Sequence, residues 1–93
     1  MKAPAGSTIR LNANFDNSVS IDKALTIELN GNDIINNEKT PIDIKVNGDL
    51  TIKGQGTIEC NKNGNAAVFN NGNITINNGK LQFFIRNSFA SFL

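Results

Sequence analysis

The 93-residue chain has no histidine, no tryptophan and no tyrosine, and a single cysteine, Cys60. Without histidine it lacks the commonest general base near neutral pH and the commonest metal ligand. One cysteine permits no internal disulfide, so a small fold must hold together without that cross-link. The missing Trp and Tyr remove the usual stacking platforms of a carbohydrate-binding surface. A formal charge of +1 argues against both an electrostatic nucleic-acid binder and an acidic nucleic-acid mimic. No apolar run approaches the ~18 residues that span a bilayer. The N-terminus, "MKAPAGSTIRLNANF", has no apolar core of a secretory signal. The expectation is a cytosol-made chain, not secreted by a signal of its own, without membrane or nucleic-acid partners.

Two residue types fill the space that these absences leave. Asparagine occurs seventeen times, five of them in Asn-Gly pairs at 30–31, 47–48, 63–64, 71–72 and 78–79. Both residues tolerate positive φ, so the pairs mark tight turns. Low hydrophobicity with many polar residues is also a composition of disorder. Twelve isoleucines in ordered alternation decide for a folded chain. Its length suits one small domain that buries only roughly 60–65% of its unfolded surface.

The alternation repeats. Leu25-Thr26-Ile27, Leu50-Thr51-Ile52 and Ile74-Thr75-Ile76 recur at intervals of twenty-five and twenty-four residues. Around them "ALTIELNGNDI" (24–34), "DLTIKGQGTI" (49–58) and "NITINNGKL" (73–81) share an apolar-Thr-Ile start, a later glycine and a second apolar site. "IDIKVNGD" (42–49) aligns over "AAVFNNGN" (66–73), again at twenty-four. Alternation at period two reads as strand with one buried face, and no window carries a helical period. A repeat this short cannot form a four-stranded propeller blade. The pattern predicts an all-β coil with three short strands per turn, each turn stacked in parallel on the last. Leu25, Leu50 and Ile74 then share one inner column and Ile27, Ile52 and Ile76 a second. Ile44 over Val68, and Ile34, Ile58 and Leu81, complete the core.

These segments, above all "VNGDLTIKGQGTIE" and "AAVFNNGNITINNGKL", resemble the right-handed parallel β-helix repeats of the pectate-lyase-like superfamily. They are closest to the non-catalytic repeats of tailed-phage virion proteins and bacterial surface proteins. The resemblance covers about residues 6–81 and implies a short β-solenoid of about three and a half turns. Relatives usually carry such repeats inside longer chains. On this reading one domain spans 1–93: an N-terminal cap or irregular first turn at 1–24, repeats at 25–81, and a C-terminal cap or interface at 82–93.

Enzymes of that superfamily cluster Asp with a nearby Arg or Lys on one outer face. Here the outward columns read Glu28-Lys53-Asn77, Thr26-Thr51-Thr75 and Asp49-Asn73. None stacks two acids, whereas hydrolysis of a glycosidic bond requires two carboxylates about 5–10 Å apart. Glu28 and Lys53 read as a cross-strand ion pair. "GQG" (54–56) lacks the helix that a phosphate loop needs, and "NKNGN" (61–65) lacks the charge of a calcium loop; both read as turns. "NIT" (73–75) matches a glycosylation sequon and, without a signal peptide, is expected to stay bare. The threonine column resembles water-ordering arrays on ice-binding solenoids but offers one Thr per turn where those present two. No catalytic, cofactor or metal site is assigned.

The C-terminal "LQFFIRNSFASFL" (81–93) holds four of the six Phe and breaks the alternation at Phe83-Phe84-Ile85. An apolar patch of this kind marks a cap over an open solenoid end, a partner site, or both. Alternation points Phe83 inward and leaves Phe84, Phe89, Phe92 and Leu93 as interface candidates. The functional expectation is a non-enzymatic assembly protein, a phage virion component such as a capsid decoration, cement or head-fibre protein. It would bind a capsid protein and form a homo-oligomer, with trimers implied by the resemblance, in the virion or host cytoplasm. The alternatives are a small phage anti-defence inhibitor of the anti-CRISPR kind and a carbohydrate-binding β-helix module. Deleting residues 87–93 should give a less stable protein that no longer assembles. Equal melting and sedimentation of the truncated and full chains would make the tail a passive extension.

Overall fold

The computed structural model describes residues 3–62, 65–77 and 85–87, the last three by backbone alone. They form ten strands and no helix: β1 (Ser7–Arg10), β2 (Val19–Ile21), β3 (Ala24–Glu28), β4 (Ile34–Asn36), β5 (Ile42–Ile44), β6 (Asp49–Lys53), β7 (Ile58–Cys60), β8 (Val68–Asn70), β9 (Asn73–Ile76) and β10 (Ile85–Asn87). Every pairing is parallel. The first sheet is ordered β1-β3-β6-β9, the second is β4-β7 and the third is β2-β5-β8-β10. From β3 onward the chain visits first, second and third sheet in that order, then repeats the circuit from β6. The first circuit reaches the second sheet through one bridge, Phe15 to Ile34. Each sheet is open, with an edge strand at both ends among the described residues.

Strand formation follows the alternation of β-branched and polar residues. In β3 and β6 the residues Leu25, Ile27, Leu50 and Ile52 are buried, while Thr26, Glu28, Thr51 and Lys53 face out. The register stacks like on like: Leu25 on Leu50 on Ile74, and Ile27 on Ile52 on Ile76. Ile34 meets Ile58 in the second sheet. Leu25, Ile27, Leu50, Ile52, Ile34 and Ile58 form one core with Leu29, Ile21, Ile42, Ile44 and Val68, and Ile74 packs partly buried against it. Each full burial is worth about 1.5–3 kcal/mol. Ile76, in the terminal strand of the first sheet, remains 38% exposed. Leu81, the third residue expected above Ile34 and Ile58, lies outside the described residues.

One expectation changes. Ile44 does not sit over Val68: Ile42 pairs with Val68, and Ile44 pairs with Asn70. The cause is loop length. Four residues, 45–48, join β5 to β6, whereas only Asn71 and Gly72 join β8 to β9. A two-residue slip is even, so it preserves which side chains face the core. The register at Asp49 over Asn73 still follows the twenty-four-residue interval. In addition, residues 7–10 join the first sheet in full register, with Ser7 beside Leu25 and Thr8 beside Thr26.

Corners are made by Asn and Gly. At Leu29–Asn32 the Asn32 amide donates to Leu29 O at 2.9 Å, and the central Asn30 and Gly31 have φ of 54° and 78°. Gly48 is required by proximity instead: a Cβ there would lie 2.3 Å from Ile21 O. Asn36 is buried at 7% exposure with all four amide hydrogen-bond positions used. Its Oδ1 accepts from the backbone of Glu38 and Lys39, and its Nδ2 donates to Asp16 O and Ser18 Oγ. This one side chain ties the loop after β4 to the circuit beneath.

Replacing Ile52, which has an apolar neighbour on each side in its file, with Ala should cost about 2–4 kcal/mol. The outward Thr51→Ala should cost well under half as much. Equal losses in denaturant melts of the two variants would reverse this assignment of faces.

Candidate functional site

The broadest regular surface is the outward side of the first sheet, built from three files of side chains one strand apart. The central file is Thr8-Thr26-Thr51-Thr75. On one side run Ala24, Asp49 and Asn73, with Asn73 Nδ2 donating to Asp49 Oδ1 at 3.1 Å. On the other run Arg10, Glu28 and Lys53. Arg10 Nε lies 4.0 Å from Glu28 Oε2, and its Nη2 donates to Asn30 Oδ1 at 3.1 Å. Glu28 thus stands between two cations in register, and its contact is with Arg10 on β1 and not, as expected, with Lys53 on β6. Asn77 continues this file, its amide donating to Ile52 O.

The third sheet presents Ser20, Asp43 and Phe69 in one outward file. Lys45 Nζ bonds Asp43 Oδ2 at 2.9 Å, while Asp43 Oδ1 is buried without a partner. In the second sheet Ile35 pairs with Glu59. In no registered file does one acid stand directly on another. Among the described residues no group of three or more His, Cys, Asp or Glu is placed to hold a metal ion. The isolated charges suit cross-strand pairing, each exposed pair contributing about 0.2–1 kcal/mol.

The short motifs resolve into architecture. Gly54 and Gly56 of "GQG" pack on the preceding corner: Gly31 N donates to Gln55 O at 2.9 Å, and a Cβ on Gly56 would lie 2.1 Å from Asn32 O. In "NKNGN", Asn61 Nδ2 donates to Asn37 Oδ1 at 2.6 Å, and Asn65 N donates to Lys62 O. The "NIT" segment opens β9. The threonine file gains Thr8, a rung that sequence reasoning missed although Thr8-Ile9 repeats the Thr-Ile pair of the triplets. It still offers one Thr per strand, between charged files. The interface candidates Phe84, Phe89, Phe92 and Leu93 lie outside the described residues.

In comparisons with known proteins the chain matches no protein-family model, no curated protein and no solved structure. Among the described residues no helix is long and apolar enough to cross a membrane.

Glu28→Gln removes the charge at the centre of the mixed file and should shift stability by less than about 1 kcal/mol. A loss several times larger in urea melts would assign this carboxylate a role that its geometry does not provide.

Proposed function

We propose that the three sheets are the faces of a short right-handed parallel β-helix that serves as a non-enzymatic assembly module. The single observation behind this reading is the in-register stacking of like residues in parallel strands, circuit on circuit. Such stacking makes a stiff body whose geometry repeats along one axis, suited to presenting surfaces rather than enclosing a substrate. Right-handedness is the hand that parallel strand–crossover–strand connections almost always adopt. The dispersed acids of the outward files support the non-enzymatic part.

By resemblance, the module is a phage virion component: a capsid decoration, cement or head-fibre protein. The ends of the stack are where partners fit, because a strand at the end of each sheet has unpaired backbone groups on one side. A stack of about three and a half turns also has few layers relative to its ends, and oligomerisation is a common staple for a scaffold without disulfides. A homotrimer docked on a capsid protein, with Phe84, Phe89, Phe92 and Leu93 in the contact, joins the sequence pattern to this geometry.

Affinity purification of the tagged chain from infected cells tests the reading. Recovery with capsid protein or intact particles is the expected result. Recovery with a host enzyme that it inhibits would replace it with the anti-defence function. Depolymerisation of an acidic polysaccharide, lost on Glu28→Gln or Asp49→Asn, would overturn the non-enzymatic assignment.

A further inference from the structure

Asn-Gly pairs are chemically as well as conformationally special. Glycine has no side chain to shield its backbone nitrogen, which leaves that nitrogen free to approach the side-chain carbonyl carbon of the asparagine before it. Two local conditions control this reaction in a folded protein. The asparagine side chain must be free to swing Cγ toward the glycine nitrogen, and that nitrogen must be able to leave its own hydrogen bond.

Three Asn-Gly pairs fall within the described residues, and the fold treats them differently. Asn30 is held from both ends of its amide: Oδ1 accepts from Arg10 Nη2 and Nδ2 donates to Leu11 O, each at 3.1 Å. Gly31 N donates to Gln55 O in the next circuit at 2.9 Å. Asn71 has its Oδ1 buried. Gly72 N donates to Asn70 Oδ1 at 3.0 Å, and a Cβ on Gly72 would lie 2.3 and 2.4 Å from Gly48 O and Lys45 O. The first pair is restrained by the hydrogen bonds on the Asn30 amide and the second by the crowding around Gly72.

Asn47 is the exception. Its side chain is exposed, at the tip of the turn Lys45–Gly48, and among the described residues no hydrogen bond holds its amide. The Gly48 amide donates to Lys45 O at 2.8 Å. That bond lies within the same four-residue turn, so the turn can open it without parting two circuits.

We propose that Asn47 is a site of spontaneous deamidation in the folded protein. Gly48 N gives up its proton to water or hydroxide and attacks Asn47 Cγ. The N–Cγ bond forms, the Cγ–Nδ2 bond breaks, and ammonia leaves a cyclic succinimide. Water then adds to one of the two imide carbonyls. Opening at Cγ gives aspartate with the ordinary backbone; opening at the backbone carbonyl gives isoaspartate, whose chain runs through the side chain and is longer by one methylene. Atoms balance with water consumed and ammonia released, and nothing is oxidised or reduced.

The two products have different consequences. Aspartate places a charge on an exposed tip. Isoaspartate inserts a carbon directly before Gly48, which is buried where a Cβ would come within 2.3 Å of Ile21 O and 2.8 Å of Ile44 Cγ2. Gly48 O also accepts from Asn73 N at 3.0 Å. The insertion therefore strains a point where three circuits meet, and the aged protein loses stability there first.

The test is to age the folded chain in mildly alkaline buffer and map aspartate and isoaspartate by peptide mass spectrometry, with a chain kept in denaturant as reference. In the folded protein Asn47 should convert several-fold faster than Asn30 and Asn71, and in denaturant the three rates should converge. Asn30 or Asn71 keeping pace with Asn47 in the folded state would overturn the proposal. So would an Asn47 that stays intact when folded yet reacts when unfolded. The Asn47→Asp variant should melt as the parent does, and the isolated isoaspartate form should melt lower. Equal melting of parent and isoaspartate form, or an equally low melt of Asn47→Asp, would remove the backbone insertion as the cause.

Discussion

Side-by-side burial of equivalent residues on adjacent parallel strands is the interaction on which the rest of the structure depends. Leu25, Leu50 and Ile74 form one such file, and Ile27, Ile52 and Ile76 another. An inner strand in this arrangement satisfies its backbone groups on both sides while adding one more rung to an existing apolar column. No disulfide supports it; the described cysteine, Cys60, is free. Backbone ladders and aligned isoleucines hold the sheets together, and any change in register would misalign them jointly.

The constraint reaches the corners. Successive circuits must turn at matching heights, so corner residues are chosen for backbone geometry and for closeness to the layer below. Gly48 and Gly56 leave no space for a Cβ against Ile21 O and Asn32 O. Asn36 turns inward and spends its whole amide on neighbouring backbone and Ser18. The exposed tip of the turn Lys45–Gly48, at Val46 and Asn47, stands clear of that packing, and there the circuit tolerates a change in loop length. That is why β5–β6 and β8–β9 have different connections while their strands remain aligned. The same independence leaves Asn47 open to solvent.

On the outside the constraint has a different effect. Parallel stacking turns each outward position into a file, so the surface chemistry is set by what repeats at that position. Thr8, Thr26, Thr51 and Thr75 make one file, and Arg10, Glu28 and Lys53 make another of alternating sign. Alternating charges pair along a file, whereas a catalytic pair would require two acids gathered across a cleft. The regular faces thus favour presentation and packing, which is the basis of the assembly role proposed for the proposed β-helix.

The sequence by itself determined the all-β class, the parallel pairing of the apolar-Thr-Ile triplets, and which side of each strand is buried. It could do so because a twenty-four-residue interval and a two-residue alternation are both written in residue identity. Tertiary structure decided what depends on loop length and on partners distant in the chain. The pairing of Ile42 rather than Ile44 with Val68 arises from a two-residue difference between corners, invisible to an alignment on the Asn-Gly pairs. The place of Thr8 in the threonine file was masked by the shorter interval and by Ser7 standing where the other strands carry Leu or Ile. The four bonds of Asn36 join residues 16–18 to 36–39, and nothing in the local pattern distinguishes that asparagine from sixteen others. Periodicity encodes faces; only packing across circuits selects which equivalent residues meet.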